Sequence, residues 1–432
     1  MRKRLWPWIL ATLALMISAL IRPNGLPSAA AAGGTTGDFS LAIYGDPGNL
    51  DPARADRPPE WAVTDNVFQP LLNVNAVGQL LPGLARTVTV NKHVVAITLA
   101  RTTTASGQPV TATMVARALA RPLWPVVNSS VAHRILGSVR GAQAVISGRT
   151  KLLSGIRITG HRSLSIQLTG SNVTAFLHNL ANPALSIVPV SDQIQGGQNW
   201  QFANLDGTGG WKLTRWTPGD HLLFTWAGRP LGAGAPTEVN LVEYPKPREA
   251  LLSVVNGVVD AAPVSPLAVH TLQAGWLADL RVFSGPGAVS LYYRRGALRV
   301  SAYRPLPITR WVADTFGAKP HALSRRWPRR MLNHRPMTIW VNASNLVAVA
   351  LARTLSAHEP LVSVRLTTAG RLTRLAARGA IDAYIGTYSR FASSLTVPLM
   401  RPSVFWLESP RVKTSTVFPN GQLKWSSVRL KG

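Results

Sequence analysis

The chain has 432 residues, 46% hydrophobic and 15% charged, with a formal net charge of +28. That length suits two or three domains with sizeable cores and excludes wholesale disorder. Cysteine is absent, which removes disulfides, thiolate metal sites, a cysteine nucleophile and an acylated cysteine.

Arg2, Lys3 and Arg4 precede an apolar run from Leu5 to Ile21 and a small-residue stretch from Ser28 to Ala32. Basic, apolar, small is the order of a secretory signal, with cleavage expected after Ala32 unless the run stays as an anchor. Residues 1–32 are therefore read as a signal peptide or N-terminal anchor, and the rest as exported. Phe39 to Tyr44 reads as a strand ending at the turn Gly45-Asp46-Pro47-Gly48. The spacing of Trp61, Thr64, Asp65, Phe68 and Leu72 predicts a helix over Glu60 to Leu72. Strands follow at Val88 to Val90 and Val94 to Leu99, and Thr111 is placed to cap a helix running through Leu119. Ile156 to Ile158 and Ser163 to Leu168 read as strands paired around Gly160-His161-Arg162, with a helix over Asn172 to Leu180. Trp211 to Leu213 and His221 to Trp226 form a second expected hairpin, turning at Pro218-Gly219-Asp220. Further on, strands at Thr338 to Val341, Val362 to Leu366 and Ala380 to Ile385 alternate with helices at Ala343 to Ser356 and Gly370 to Ala377. That alternation implies α/β units around a parallel sheet.

The positive charge is concentrated late. From Leu291 to Gly432 there are 23 Lys and Arg against Asp314, Glu359, Asp382 and Glu408. The densest cluster is Arg325-Arg326-Trp327-Pro328-Arg329-Arg330. Such a field attracts polyanions, yet for an exported protein a solvated basic surface outweighs nucleic-acid binding, and no nucleic-acid partner is expected. Catalytic chemistry is poorly supplied. The nine histidines form no H-E-x-x-H or similar ligand spacing, and there is no G-x-S-x-G elbow or phosphate-binding loop. No enzyme activity, metal or cofactor is expected.

Several segments carry a resemblance. Tyr44-Gly45-Asp46-Pro47-Gly48-Asn49-Leu50-Asp51-Pro52 is similar to the opening strand and "LDP" loop of the family-5 extracellular solute-binding proteins of ABC importers. Asn66-Val67-Phe68-Gln69-Pro70-Leu71-Leu72 with Gly78 to Ala85 resembles that family's next signature. Gly107 to Ala112, Gly207-Thr208-Gly209-Gly210-Trp211-Lys212-Leu213, Asn256 to Ala262 and Arg378 to Ala383 resemble four more, in the family's order. The resemblance implies an α/β, two-lobed periplasmic-binding-protein-like fold with a hinge and a smaller appended domain. The implied division has residues 33–66 with 180–243 and 400–432 as a discontinuous lobe I, 67–179 as the appended domain, and 244–399 as lobe II.

It also implies a monomeric receptor in the periplasm or on the outer face of the cytoplasmic membrane. Such a receptor would capture a peptide-like or other small solute and deliver it to membrane permease subunits. By position, Gly48, Asn49, Leu50, Thr208, Tyr388 and Arg390 are the expected cleft residues. The chain departs from the family after its late strand, where an acidic stretch is replaced by Tyr388-Ser389-Arg390-Phe391. An arginine in place of the aspartate that pairs with a ligand's ammonium group favours an anionic or neutral ligand, unless Asp382 or Asp260 serves instead. Two other readings stay open: a relative that no longer transports and acts in cell-surface interactions, or a polyanion-binding surface protein.

Overall fold

The structure, a computed structural model, describes residues 38–75, 79–189 except 171, 205–265, 272–284 except 273, 289–294, 303–304, 327–328, 337–386 in part, and 394–431 except 401, 402 and 419. The expected N-terminal signal or anchor and the Arg325 to Arg330 cluster, apart from Trp327 and Pro328, lie outside the described residues.

Three sheets organise the chain. The largest has seven strands: β1 (Asp38–Tyr44), β6 (Trp211–Thr217), β7 (His221–Trp226), β8 (Glu238–Tyr244), β9 (Ala261–Val264), β10 (Leu280–Ser284) and β16 (Ser403–Glu408), in the order β10-β16-β9-β1-β8-β7-β6. β1 is flanked by parallel partners, β8 in full register from Asp38↔Glu238 to Tyr44↔Tyr244 and β9 on its other side. Both faces are covered. Phe39, Leu41 and Ile43 join Trp211, Phe224, Val239, Trp406 and Trp425 in one core, and Ala42 joins Tyr244, Leu251, Val254 and Phe405 in another. Burial on both faces explains why β1 reads as a nearly continuous apolar run.

A four-stranded antiparallel sheet, in the order β2-β3-β5-β4, is made by β2 (Ala85–Asn91), β3 (Val94–Leu99), β4 (Ile156–Gly160) and β5 (Ser163–Gln167). Strict alternation on β3 buries Val95, Ile97 and Leu99, which pack with Leu164 and Ile166 against the intervening helices. Those helices are α2 (Ala112–Ala120), α3 (Ser130–Leu136) and α4 (Ala142–Ile146); α1 (Pro58–Val67) precedes the sheet and α5 (Val173–Asn179) follows it. The Thr111 cap forms as expected, its hydroxyl accepting from the Met114 N–H at 3.2 Å.

The third sheet, β13-β12-β14-β11-β15, contains β11 (Val289–Arg294), β12 (Met337–Asn342), β13 (Val362–Thr367), β14 (Ala383–Gly386) and β15 (Ser394–Met400). β12 runs parallel to β13 and β14, the expected α/β core, with β11 and β15 added antiparallel. Helix α7 (Ala369–Ala377) packs Leu372 and Ala376 against the stacked Tyr292–Tyr384 pair, whose centroids are 5.2 Å apart. A further helix, α6 (Pro247–Val255), links β8 to β9.

Candidate functional site

The chain passes between the seven-stranded and five-stranded sheets twice, from β10 to β11 and from β15 back to β16. Both passages leave one strand pair and enter the other: Ser284 faces Ser403 on one side, and Val289 faces Met400 on the other. Register gives the direction. In the seven-stranded sheet Val264 pairs with Phe405, so the carboxyl ends of β1, β8 and β9 point toward the passages. In the five-stranded sheet Ser290 pairs with Gly386, so the carboxyl ends of β12, β13 and β14 do the same. Open α/β sheets bind ligands outside the carboxyl ends of their strands, where strand order switches sides. β1, with β8 on one side and β9 on the other, is such a switch point.

The loop after β1 sits at this edge. Gly48 adopts φ +62°, and a Cβ there would lie 2.6 Å from the Arg57 guanidinium. Arg57 donates to the Pro47 carbonyl at 2.9 Å and pairs with the buried Glu60 carboxylate at 2.8 Å, so the loop is braced from α1. Asn49 is half-buried, and its side-chain oxygen accepts the Asp51 N–H at 2.8 Å. Gly48 and Asn49 thus remain within reach of solvent. Leu50 differs from expectation: its side chain is fully buried in the core with Phe39 and Phe68, because the loop turns inward toward Asp51. Asp51 lies against Arg121 at the end of α2, both 1% exposed, in a two-pronged pair that ties the loop to the four-stranded unit.

Thr208 also turns inward. Its hydroxyl donates to the Ile187 carbonyl at 3.0 Å and accepts the Gln69 N–H at 2.9 Å, which leaves it knitting three segments together beneath the surface. The neighbouring glycines serve close packing. A Cβ at Gly207 would stand 2.1 Å from the Val67 carbonyl oxygen, and one at Gly209 would stand 2.4 Å from that of Asn66. Gly207→Ala is expected to cost about 3 kcal/mol, the upper end of overpacking, because backbone rather than a side chain must yield. A urea midpoint within error of the unsubstituted protein would contradict this.

Tyr388 and Arg390 lie outside the described residues, as does Asp382. In sequence Tyr388 and Arg390 follow β14, whose Gly386 end borders the passage between sheets. Asp260, the other alternative counter-charge, is already engaged. Its carboxylate accepts from the Ser40 N–H at 2.9 Å, from Ser409 at 3.1 Å and from Arg411 at 3.0 Å. It joins β1, β9 and β16 and leaves little for a ligand.

The same edge of the seven-stranded sheet carries acids that sequence patterns did not single out. Glu243, near the end of β8, is buried, and its carboxyl is pushed up to about 7, first by burial and then by the charges of Asp46 and Asp220. Asp220, in the hairpin between β6 and β7, lies 2.9 Å from the His221 ring. The only cue in the sequence is the second of two glutamates on β8, next to its last residue. Among the described residues no three His, Asp or Glu side chains are grouped so as to hold a metal ion.

No family model matches the chain. The periplasmic murein peptide-binding protein MppA of Escherichia coli is 31% identical over 176 residues, 40% of this chain, and the match spans only 32% of that relative's length. Solved structures extend the likeness to nearly the whole chain. The unliganded open form of MppA superposes with a TM-score of 0.65 at 18% identity, over 91% of this chain and 97% of that one. The chain has the fold of the family-5 solute-binding proteins. The resemblance carried by its motifs is thereby borne out, as is the two-lobed periplasmic-binding-protein-like α/β architecture it implied. Haemophilus influenzae OppA in complex with the peptide RPPGFSPFR matches this fold with a TM-score of 0.62 at 16% identity, covering 91% and 98%. A Borrelia burgdorferi periplasmic oligopeptide-binding protein gives 0.65 at 14%, covering 91% and 100%.

Proposed function

We propose that this chain is an exported substrate-binding receptor of an ABC importer, a binding protein and not an enzyme. It would capture a peptide-like or other small solute between two lobes and present it to membrane permease subunits. The observation that carries the reading is the paired passage between two sheets whose parallel strands all direct their carboxyl ends toward it. A ligand that contacts both edges stabilises the closed arrangement by its differential affinity for it, so occupancy becomes a shape a permease can read. MppA and the Borrelia burgdorferi protein are periplasmic peptide-binding proteins, Haemophilus influenzae OppA holds a peptide, and the basic-apolar-small N-terminus fits export.

The lobes are proposed to follow the division implied by the motifs: 33–66 with 180–243 and 400–432, and 244–399, with 67–179 appended. Gly48, Asn49, Tyr388 and Arg390 are proposed as cleft residues, with Leu50 and Thr208 supporting them from behind. Arg390 would hold a carboxylate through two parallel hydrogen bonds, favouring an anionic or neutral ligand. The acidic edge favours a second reading, in which Asp46, Asp220 and Glu243 attract an ammonium group. Calorimetry with a tripeptide and its N-acetylated form separates the two. Affinity kept or improved on acetylation is expected if Arg390 dominates; a tenfold or greater loss would assign recognition to the acids.

A further inference from the structure

We propose that the four-stranded unit docks on an anionic lipid surface through two adjacent loops, 124–127 and 147–152. Its charge is one-sided. From Asn66 to Ser191 the sequence contains no aspartate or glutamate and eleven lysines and arginines. Arg121 is neutralised by Asp51, from outside the unit, whereas Arg86, Arg101, Arg140 and Arg157 are exposed on it. Such a surface repels cations and is drawn to a sheet of negative charge.

The loops add what charge alone lacks. Val126 is 58% exposed and Leu152 50% exposed. Trp124, half-buried between them, donates its indole N–H to the Lys151 carbonyl at 2.9 Å, and Gly148 lies against Pro125, so the loops form one surface. Arg54 reaches in from the loop after β1 to the Val126 carbonyl. Arg149 and Lys151 are exposed beside these apolar groups, and neither loop holds an acid. Aliphatic side chains with an aromatic ring, flanked by basic residues, match a headgroup boundary, where apolar atoms enter the acyl region and cations stay among phosphates. A polyanionic polymer would engage Arg149 and Lys151 but offers nothing to Val126 and Leu152.

The test is cosedimentation of the full chain with vesicles of phosphatidylglycerol and phosphatidylcholine in equal parts, against phosphatidylcholine alone. The N-terminal segment is common to every variant and cancels in the comparison. Preference for the anionic vesicles is expected. It should fall about tenfold or more in the double variant Arg149→Glu, Lys151→Glu, since each basic residue at such a surface contributes roughly fivefold. Val126→Ser with Leu152→Ser should weaken binding several-fold, with melting curves unchanged because both side chains are exposed. Equal binding by both double variants and the unsubstituted protein would overturn the proposal. So would full binding by the serine variant together with complete competition by soluble dextran sulfate, which would assign the surface to a polyanionic polymer.

Discussion

Replacing Arg121 with methionine is expected to lower folding stability by about 3–5 kcal/mol, the usual consequence of leaving one partner of a buried ion pair uncompensated. Asp51 and Arg121 are each 1% exposed, and their pairing is two-pronged. Asp51 also accepts the Ala53 N–H at 2.9 Å, so its loss would loosen the loop that carries Gly48 and Asn49. The pair itself need not add much net stability, because taking both charges out of water offsets most of their attraction. Asp51→Leu combined with Arg121→Met is therefore expected to recover most of what the single change loses. Urea denaturation of the three variants checks this. A single variant within 1 kcal/mol of the unsubstituted protein would show that water reaches the pair.

The second large effect concerns Asp65 on α1. Burial pushes its carboxyl up to about 7, partly offset by the hydrogen bond from Asn420, and its second oxygen has no hydrogen-bond partner among the described residues. A carboxyl raised in the folded state holds its proton there after the unfolded chain has released one. Stability is therefore greatest below the unfolded value near 4 and falls as pH rises toward 7, by roughly 4 kcal/mol for this group alone. Glu243 changes in the same direction over the same window. Asp65→Asn keeps an acceptor for Asn420 and removes the charge. It is expected to raise the melting temperature at pH 8 and leave it nearly unchanged at pH 4. A variant no more stable than the parent at pH 8 would contradict the assignment.

Elements with local chemical signals were legible in the sequence. Thr111 caps its helix as expected, the helix expected from Asn172 forms with Asn172 as its cap, and the hairpins turning at 160–162 and 218–220 form between the strands that flank them. Helix α1 departs from the reading. Apolar spacing extends to Leu72, but the helix stops at Val67 and Phe68 is extended. Pro70 has no N–H to continue it, and the carbonyls of Pro70 and Leu71 instead accept from Gly83, Leu84 and Ala85. The late strand begins at Ala383 rather than Ala380, and the segment from Asn256 to Asp260 closes α6 before β9 starts. Strands β8 and β16 and helix α6 were not anticipated, since their identity rests on neighbours far along the chain.

The candidate site divides in the same way. Its position follows from motif order and strand direction, both written locally. Which of its residues face solvent does not. Leu50 and Thr208 belong to matching motifs yet turn into the core, and the partner of Asp51 lies 70 residues away. No spacing rule pairs Asp51 with Arg121, or predicts that Glu243 is buried beside Asp46.

Closure of two lobes on a ligand can be measured cleanly because the chain has no cysteine. Arg248→Cys on α6 and Arg374→Cys on α7 place two exposed labels, one beside the seven-stranded sheet and one beside the five-stranded sheet. Energy transfer between the labels should be followed while di- to pentapeptides, free and N-acetylated, are titrated in. A saturable change in transfer, with the midpoint found by calorimetry for the same peptide, is the predicted result. A peptide that binds tightly while transfer stays constant would rule out closure of the lobes on the ligand.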